Sequence, residues 1–96
     1  MRFADLNPQW ITPDVVVFRC SACKDGWLSL KNVPMSIRDQ FALFSEKFSG
    51  NGGNVHPCEA NVCWTITDRA FETFTAMPSL NVSGHWHKTI TNGEFQ

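Results

Sequence analysis

Residues 14–30 read DVVVFRCSACKDGWLSL, and this stretch decides the fold. Asp14 to Arg19 is a β-branched and aromatic run, the composition of a strand. It leads straight into Cys20-Ser21-Ala22-Cys23. Lys24-Asp25-Gly26 has the chemistry of a turn, and Trp27 to Leu30 reads as a returning strand. Strand, C-x-x-C, turn and strand is how a zinc ribbon begins.

Downstream of this hairpin the period changes. Ile37, Phe41, Phe44 and Phe48 fall at i, i+4, i+7 and i+11, one stripe of an amphipathic helix. Ser36 is placed to cap it, with Asp39 three residues on. Residues 49–54 (SGNGGN) end the helix and begin a loop that runs on to Asn61. Val62 to Thr67 reads as a strand with Trp64 and Ile66 on one face and Cys63, Thr65 and Thr67 on the other. Phe71 to Thr75 reads as a short strand or lead-in, Met77-Pro78-Ser79 as a break, and Leu80 to Val82 as a brief extended piece. Asn92-Gly93, between Lys88–Thr91 and Glu94-Phe95, is a hairpin turn signal. Upstream, Pro8 and Pro13 make the first thirteen residues an irregular lead-in, with Trp10 and Ile11 docked on the core.

These readings give an α+β fold. It is a small, mostly antiparallel β structure of zinc-ribbon-like hairpins, with one inserted amphipathic helix. The 96 residues form a single domain, 1–96, with the helix and loop at about 34–61 as an insertion. Hydrophobic residues at 43% and eight Phe with four Trp are too many for a disordered chain. No run of eighteen apolar residues marks a membrane span, and MRFADLNPQW carries no apolar signal segment. The expected location is the cytoplasm. Eight basic against nine acidic side chains give a net charge of −1, which does not favour a phosphate-binding surface.

In a reducing compartment a C-x-x-C pair is a metal knuckle or a redox pair rather than a staple. A redox dithiol needs a helix N-terminus to lower a thiol pKa, and here a turn and strand follow. Structural zinc wants four ligands in a tetrahedron. Cys20 and Cys23 supply two, and two sets compete for the rest. His85 and His87, two apart in an extended segment, face the same way and give a Cys₂His₂ site. Cys58 and Cys63 are the alternates and give a Cys₄ site. Mixed sets stay open, as does the plain reading of buried core thiols.

The stretches Thr73–Leu80, Gly84-His85-Trp86-His87 and Ile90–Glu94, taken with the early C-x-x-C, resemble a family of small proteins coded by tailed phages and prophages. Its members are classed as a domain of unknown function and sometimes mislabelled ammonia monooxygenase. The family pairs an early C-x-x-C with a late P-S … W-H-G-x-I-x-N-G stretch. Cys20 and Cys23 match the knuckle, His87 matches the histidine of the W-H-G step, and Trp64 resembles the central tryptophan strand. The match covers residues 14–30 and 62–95. Lys88 stands where the family often has Gly. The resemblance implies a zinc-binding β fold from a phage or mobile element, and no reaction.

The expected function is that of a non-enzymatic protein-interaction module, a zinc-stapled scaffold. Its partner is a host protein or complex, including the inhibition of a host defence complex. Phe41, Phe44 and Phe48 are the candidate partner-binding residues, set against their simpler use as core. The alternative is a zinc-ribbon-like nucleic-acid binder, which a basic strip of Arg19, Lys24, Lys31 and Lys88 would favour. A metal-dependent hydrolase comes last, for neither H-E-x-x-H nor H-x-E with P-C-x-x-C is present, and no catalytic residue is expected.

Overall fold

The computed structural model describes residues 1–20, 26–48, 55–82 and 86–95, except for the side chains of 78–82 and 86–88. Its α+β class is the one expected. The β part is two four-stranded sheets.

The first sheet takes strands β1 (Gln9–Thr12), β2 (Val15–Arg19), β3 (Trp27–Lys31) and β4 (Val55–His56) in that order. Its first three strands are antiparallel, and β4 runs parallel to β3. The second sheet is the meander β5 (Thr65–Asp68), β6 (Thr75–Val82), β7 (Trp86–Thr91) and β8 (Glu94–Phe95). Helix α1 (Ile37–Lys47) lies between β3 and β4 in sequence.

Strand β2 shows why these elements stack in three layers. It is apolar without alternation, as a strand covered on both faces should be. Val16 and Phe18 join Leu28, Leu30, Trp64, Phe74, Ala76, Ile90 and Phe95 in the core between the two sheets. Val15 and Val17 join Trp27, Val55, Phe44 and Phe48 under α1. Trp27 meets Phe48 edge-on at 4.7 Å between ring centroids. The helix starts where the sequence marks it. The Ser36 hydroxyl accepts from the Asp39 N–H at 3.1 Å.

Three readings of the sequence are corrected. The lead-in is ordered: a 3₁₀ turn at Phe3–Leu6 is followed by β1. Pro8 and Pro13 bracket that strand without interrupting it, so no ladder hydrogen bond is lost. Phe3 is buried and stacks on Phe74 at 4.3 Å. Trp10 packs on the inter-sheet core and Ile11 on the helix side, so both dock as expected. Second, Met77-Pro78-Ser79 does not break the chain. Strand β6 runs through it, and the pairing to β7 shifts between Ala76 and Leu80. A proline that cannot donate is tolerated at such an irregularity. Third, the strand expected at 62–67 begins only at Thr65. Val62 and Trp64 bond instead to Lys31 of the first sheet. The Asn92-Gly93 turn is as expected. Both residues have positive φ, 51° and 79°, and a Cβ on Gly93 would lie 2.1 Å from the Glu72 carbonyl oxygen.

Candidate functional site

The expected metal ligands fall largely outside the described residues. Cys23 and His85 lie there, as does the side chain of His87. Cys20 is described. It directly follows β2, is buried, and its N–H donates to the Gly26 carbonyl at 3.0 Å. That bond joins the two described residues that flank residues 21–25. The pairing of Asn81 with His87 puts His87 on β7 of the second sheet. Among the described residues, Cys20, Cys58 and Cys63 included, no group of three His, Cys, Asp or Glu side chains is arranged to hold an ion.

The alternate ligands Cys58 and Cys63 belong to a different construction. Residues 56–64 are wound around two buried polar side chains, Lys31 and Gln40. By alternation along β3, Trp27, Ser29 and Lys31 share the face turned to the helix side. Lys31 Nζ donates to the carbonyl oxygens of Glu59, at 2.7 Å, and Val62. The Lys31 carbonyl accepts from the Trp64 N–H at 2.9 Å. Gln40 clasps Cys58, accepting from its N–H at 2.8 Å and donating to its carbonyl at 2.6 Å. The same Gln40 amide also donates to the Met35 carbonyl at 2.9 Å. The Cys58 thiol donates to the Ser29 carbonyl at 3.1 Å. Burial pushes that thiol's pKa up, Lys31 and Ser29 pull it down, and Cys63 adds a further upward push.

The three phenylalanines divide. Phe44 and Phe48 are 0% and 5% exposed, so they are core and present nothing to a partner. Phe41 is 44% exposed, and Ile37 beside it is 45% exposed. The helix turns its Gln40–Phe44–Phe48 row inward, which tips the stripe and leaves its other edge in water. On the opposite flank lies an open groove of about 620 Å³. Met35, Ala42, Leu43 and Ala60 make its apolar floor, and its charged lining is Asp39 and Glu46. Lys31, buried at 2%, is removed from the basic strip that a nucleic-acid surface would need. Trp64 is likewise core.

Sequence reasoning placed Lys31 in a basic strip and missed its burial, and it missed Gln40 and the groove. A signal for Gln40 exists, because it precedes Phe44 and Phe48 at i, i+4, i+8 and so shares the buried row. Comparison of the chain with protein-family models, curated proteins and solved structures finds no match.

Proposed function

We propose that the protein is a non-enzymatic interaction module that docks a cationic, amphipathic segment of a partner protein in the groove beside α1. The observation that carries this reading is the make-up of the groove. Its floor is apolar, and its charged side chains, Asp39 and Glu46, are both acidic and seven residues apart on one helix face. An apolar stripe flanked by Lys or Arg is the complementary surface. A host protein remains the expected partner. The module is expected to be scaffolded by one zinc ion on Cys20, Cys23, His85 and His87. What supports that is the Cys20–Gly26 bond, which joins the residues flanking 21–25. Two thiolates and two imidazoles would give a closed site, which supplies folding energy.

The test is affinity capture from host lysate with partner identification, using wild type beside an Asp39→Lys/Glu46→Lys variant. The expected result is one stoichiometric partner, retained by wild type and lost by the variant, whose mapped binding segment is basic and amphipathic. A partner held equally well by both proteins overturns the groove as the docking site.

A further inference from the structure

We infer that the partner segment in the groove is an α-helix lying alongside α1, a step that rests on the docking reading. It carries Lys or Arg at positions i and i+7, and apolar side chains at i+3 and i+4 between them.

The groove side of α1 presents Asp39, Ala42, Leu43 and Glu46. From acid to acid the steps are three and four residues, the spacing of a seam against which a second helix packs. The acids stand at the two ends of this seam and the apolar side chains between them. Seven residues of helix rise about 10.5 Å and make almost two full turns, so both acids project from one face. A helix laid beside α1 at the shallow crossing that this spacing favours rises by nearly the same amount. Its own i and i+7 positions therefore meet both acids. An extended strand covers that span in about three residues, and residues three apart point to opposite faces. A polyproline segment brings every third residue to one face, but such segments dock in aromatic-lined grooves. None of the described lining residues is aromatic.

The rest of the lining is fixed by bonds within the protein. The Ala60 carbonyl accepts from the Met35 N–H at 3.0 Å. Buried Gln40 ties the Met35 carbonyl to both backbone groups of Cys58, and Lys31 holds the Glu59 carbonyl at 2.7 Å. The ordering cost of docking thus falls on the partner. Ala42 and Ala60 are small, which lets a helix approach closely. Asp39 and Glu46 are exposed. Glu46 also meets Lys47 at 3.5 Å, an exposed pair of the kind that is worth little, so a partner cation can replace it.

The probe is a fluorescein-labelled synthetic peptide of about 15 residues, a length at which an unaided helix is marginal in water. Its two lysines stand seven apart, with leucines three and four places after the first. A hydrocarbon staple on the opposite face fixes the helix. The full chain is titrated into it and fluorescence anisotropy is read. The expected result is saturable binding to wild type, and binding weaker by about tenfold or more to Asp39→Lys/Glu46→Lys. The Ser36 cap bonds the backbone N–H of Asp39, so it survives that change. A stapled peptide with glutamates for the two lysines should reverse the preference, which also shows that the variant is folded. The unstapled peptide, and a stapled one with its second lysine moved to i+5, should each bind wild type about tenfold more weakly. A central proline should abolish binding. If the proline peptide binds as tightly as the stapled one and still needs Asp39 and Glu46, the helix is overturned and the docking reading stands. A stapled peptide held equally by wild type and variant overturns both. If the stapled peptide does not bind wild type, the helical register is overturned, and the docking reading is then decided by lysate capture alone.

Discussion

The side-chain amide of Gln40 holds both backbone polar groups of Cys58, accepting at 2.8 Å and donating at 2.6 Å. Gln40 is 2% exposed and sits one helical turn before Phe44. It therefore acts as a peptide group would, extending the hydrogen bonding of the first sheet to a loop that has no strand partner there. Replacing it with leucine keeps the bulk and orphans a buried donor and acceptor. An unsatisfied buried group costs about 1–3 kcal/mol. Gln40→Leu should therefore lower the unfolding free energy by about 2–4 kcal/mol in a urea titration. A loss under about 0.5 kcal/mol, the range of a neutral surface change, would show that water replaces the amide.

Lys31 makes the same kind of contribution with a charge. Its ammonium is the shared partner of two carbonyls, and Lys31→Met takes that donor from both, leaving the Glu59 carbonyl only its bond from the Val62 N–H. The expected cost is again about 2–4 kcal/mol. Lys47, half exposed and paired at 3.5 Å with the exposed Glu46, is the control. Lys47→Met should stay within about 0.5 kcal/mol. Equal effects of the two substitutions would remove Lys31 from the architecture.

How much of this was legible beforehand follows from the range of each interaction. The β2–β3 hairpin, the capped helix and the Asn92-Gly93 turn are set by neighbours in sequence, and the sequence marks each of them. The long loop around Lys31 is not set that way. Glu59 and Val62 lie 28 and 31 residues from the lysine that holds them. No period announces that a lysine ending an apolar strand will be buried. Likewise Val62 and Cys63 carry strand propensity, and the loop overrides it because backbone partners are offered elsewhere. At the candidate site the sequence marks Cys20 and the exposed Phe41, and misses the groove, which forms only when Ala60 and Asn61 meet the helix.

The Cys58 thiol makes stability depend on alkaline pH. Its folded pKa is raised, chiefly by burial. The folded state thus holds the proton more tightly than the unfolded chain. The contribution is complete below the unfolded thiol value of about 8.5 and is lost as pH rises through the folded value. The chain has no Tyr to titrate in the same window. In reductant, the urea midpoint should fall between pH 7.5 and pH 10, and Cys58→Ala should flatten that fall. An unchanged slope in Cys58→Ala would assign it to other groups.

Helix α1 separates packing from surface along a single stripe. Phe44 is fully buried beneath it, whereas Phe41, one turn earlier and in edge contact at 6.4 Å, is nearly half exposed. Phe44→Ala should cost about 3–5 kcal/mol, the usual loss for a core phenylalanine. Phe41→Ala should cost less than about 1 kcal/mol and leave the melting curve near wild type. If partner capture is lost in Phe41→Ala with stability intact, the interface wraps from the groove across the helix. If capture persists, it is confined to the acidic flank.

The zinc expectation can be decided without any partner. Cys20 is buried directly after β2, so Cys20→Ser changes one atom within the inter-sheet core. In a purely packed role that exchange costs about 1–3 kcal/mol, the price of a buried hydroxyl with imperfect partners. In a zinc-ligating role it removes a thiolate from a site whose apparent binding free energy is about 10–16 kcal/mol, and the domain unfolds. Metal analysis of the purified protein should give one zinc per chain. A strong chelator should unfold wild type with the same loss of near-ultraviolet signal as Cys20→Ser. Alanine at His87 should act likewise, because the two ligands come from different sheets and the ion would tie those sheets together. If the chelated protein keeps its melting temperature and Cys20→Ser loses only a few degrees, Cys20 is a core thiol, and the two sheets are held by Phe3, Phe18, Phe74 and their neighbours alone.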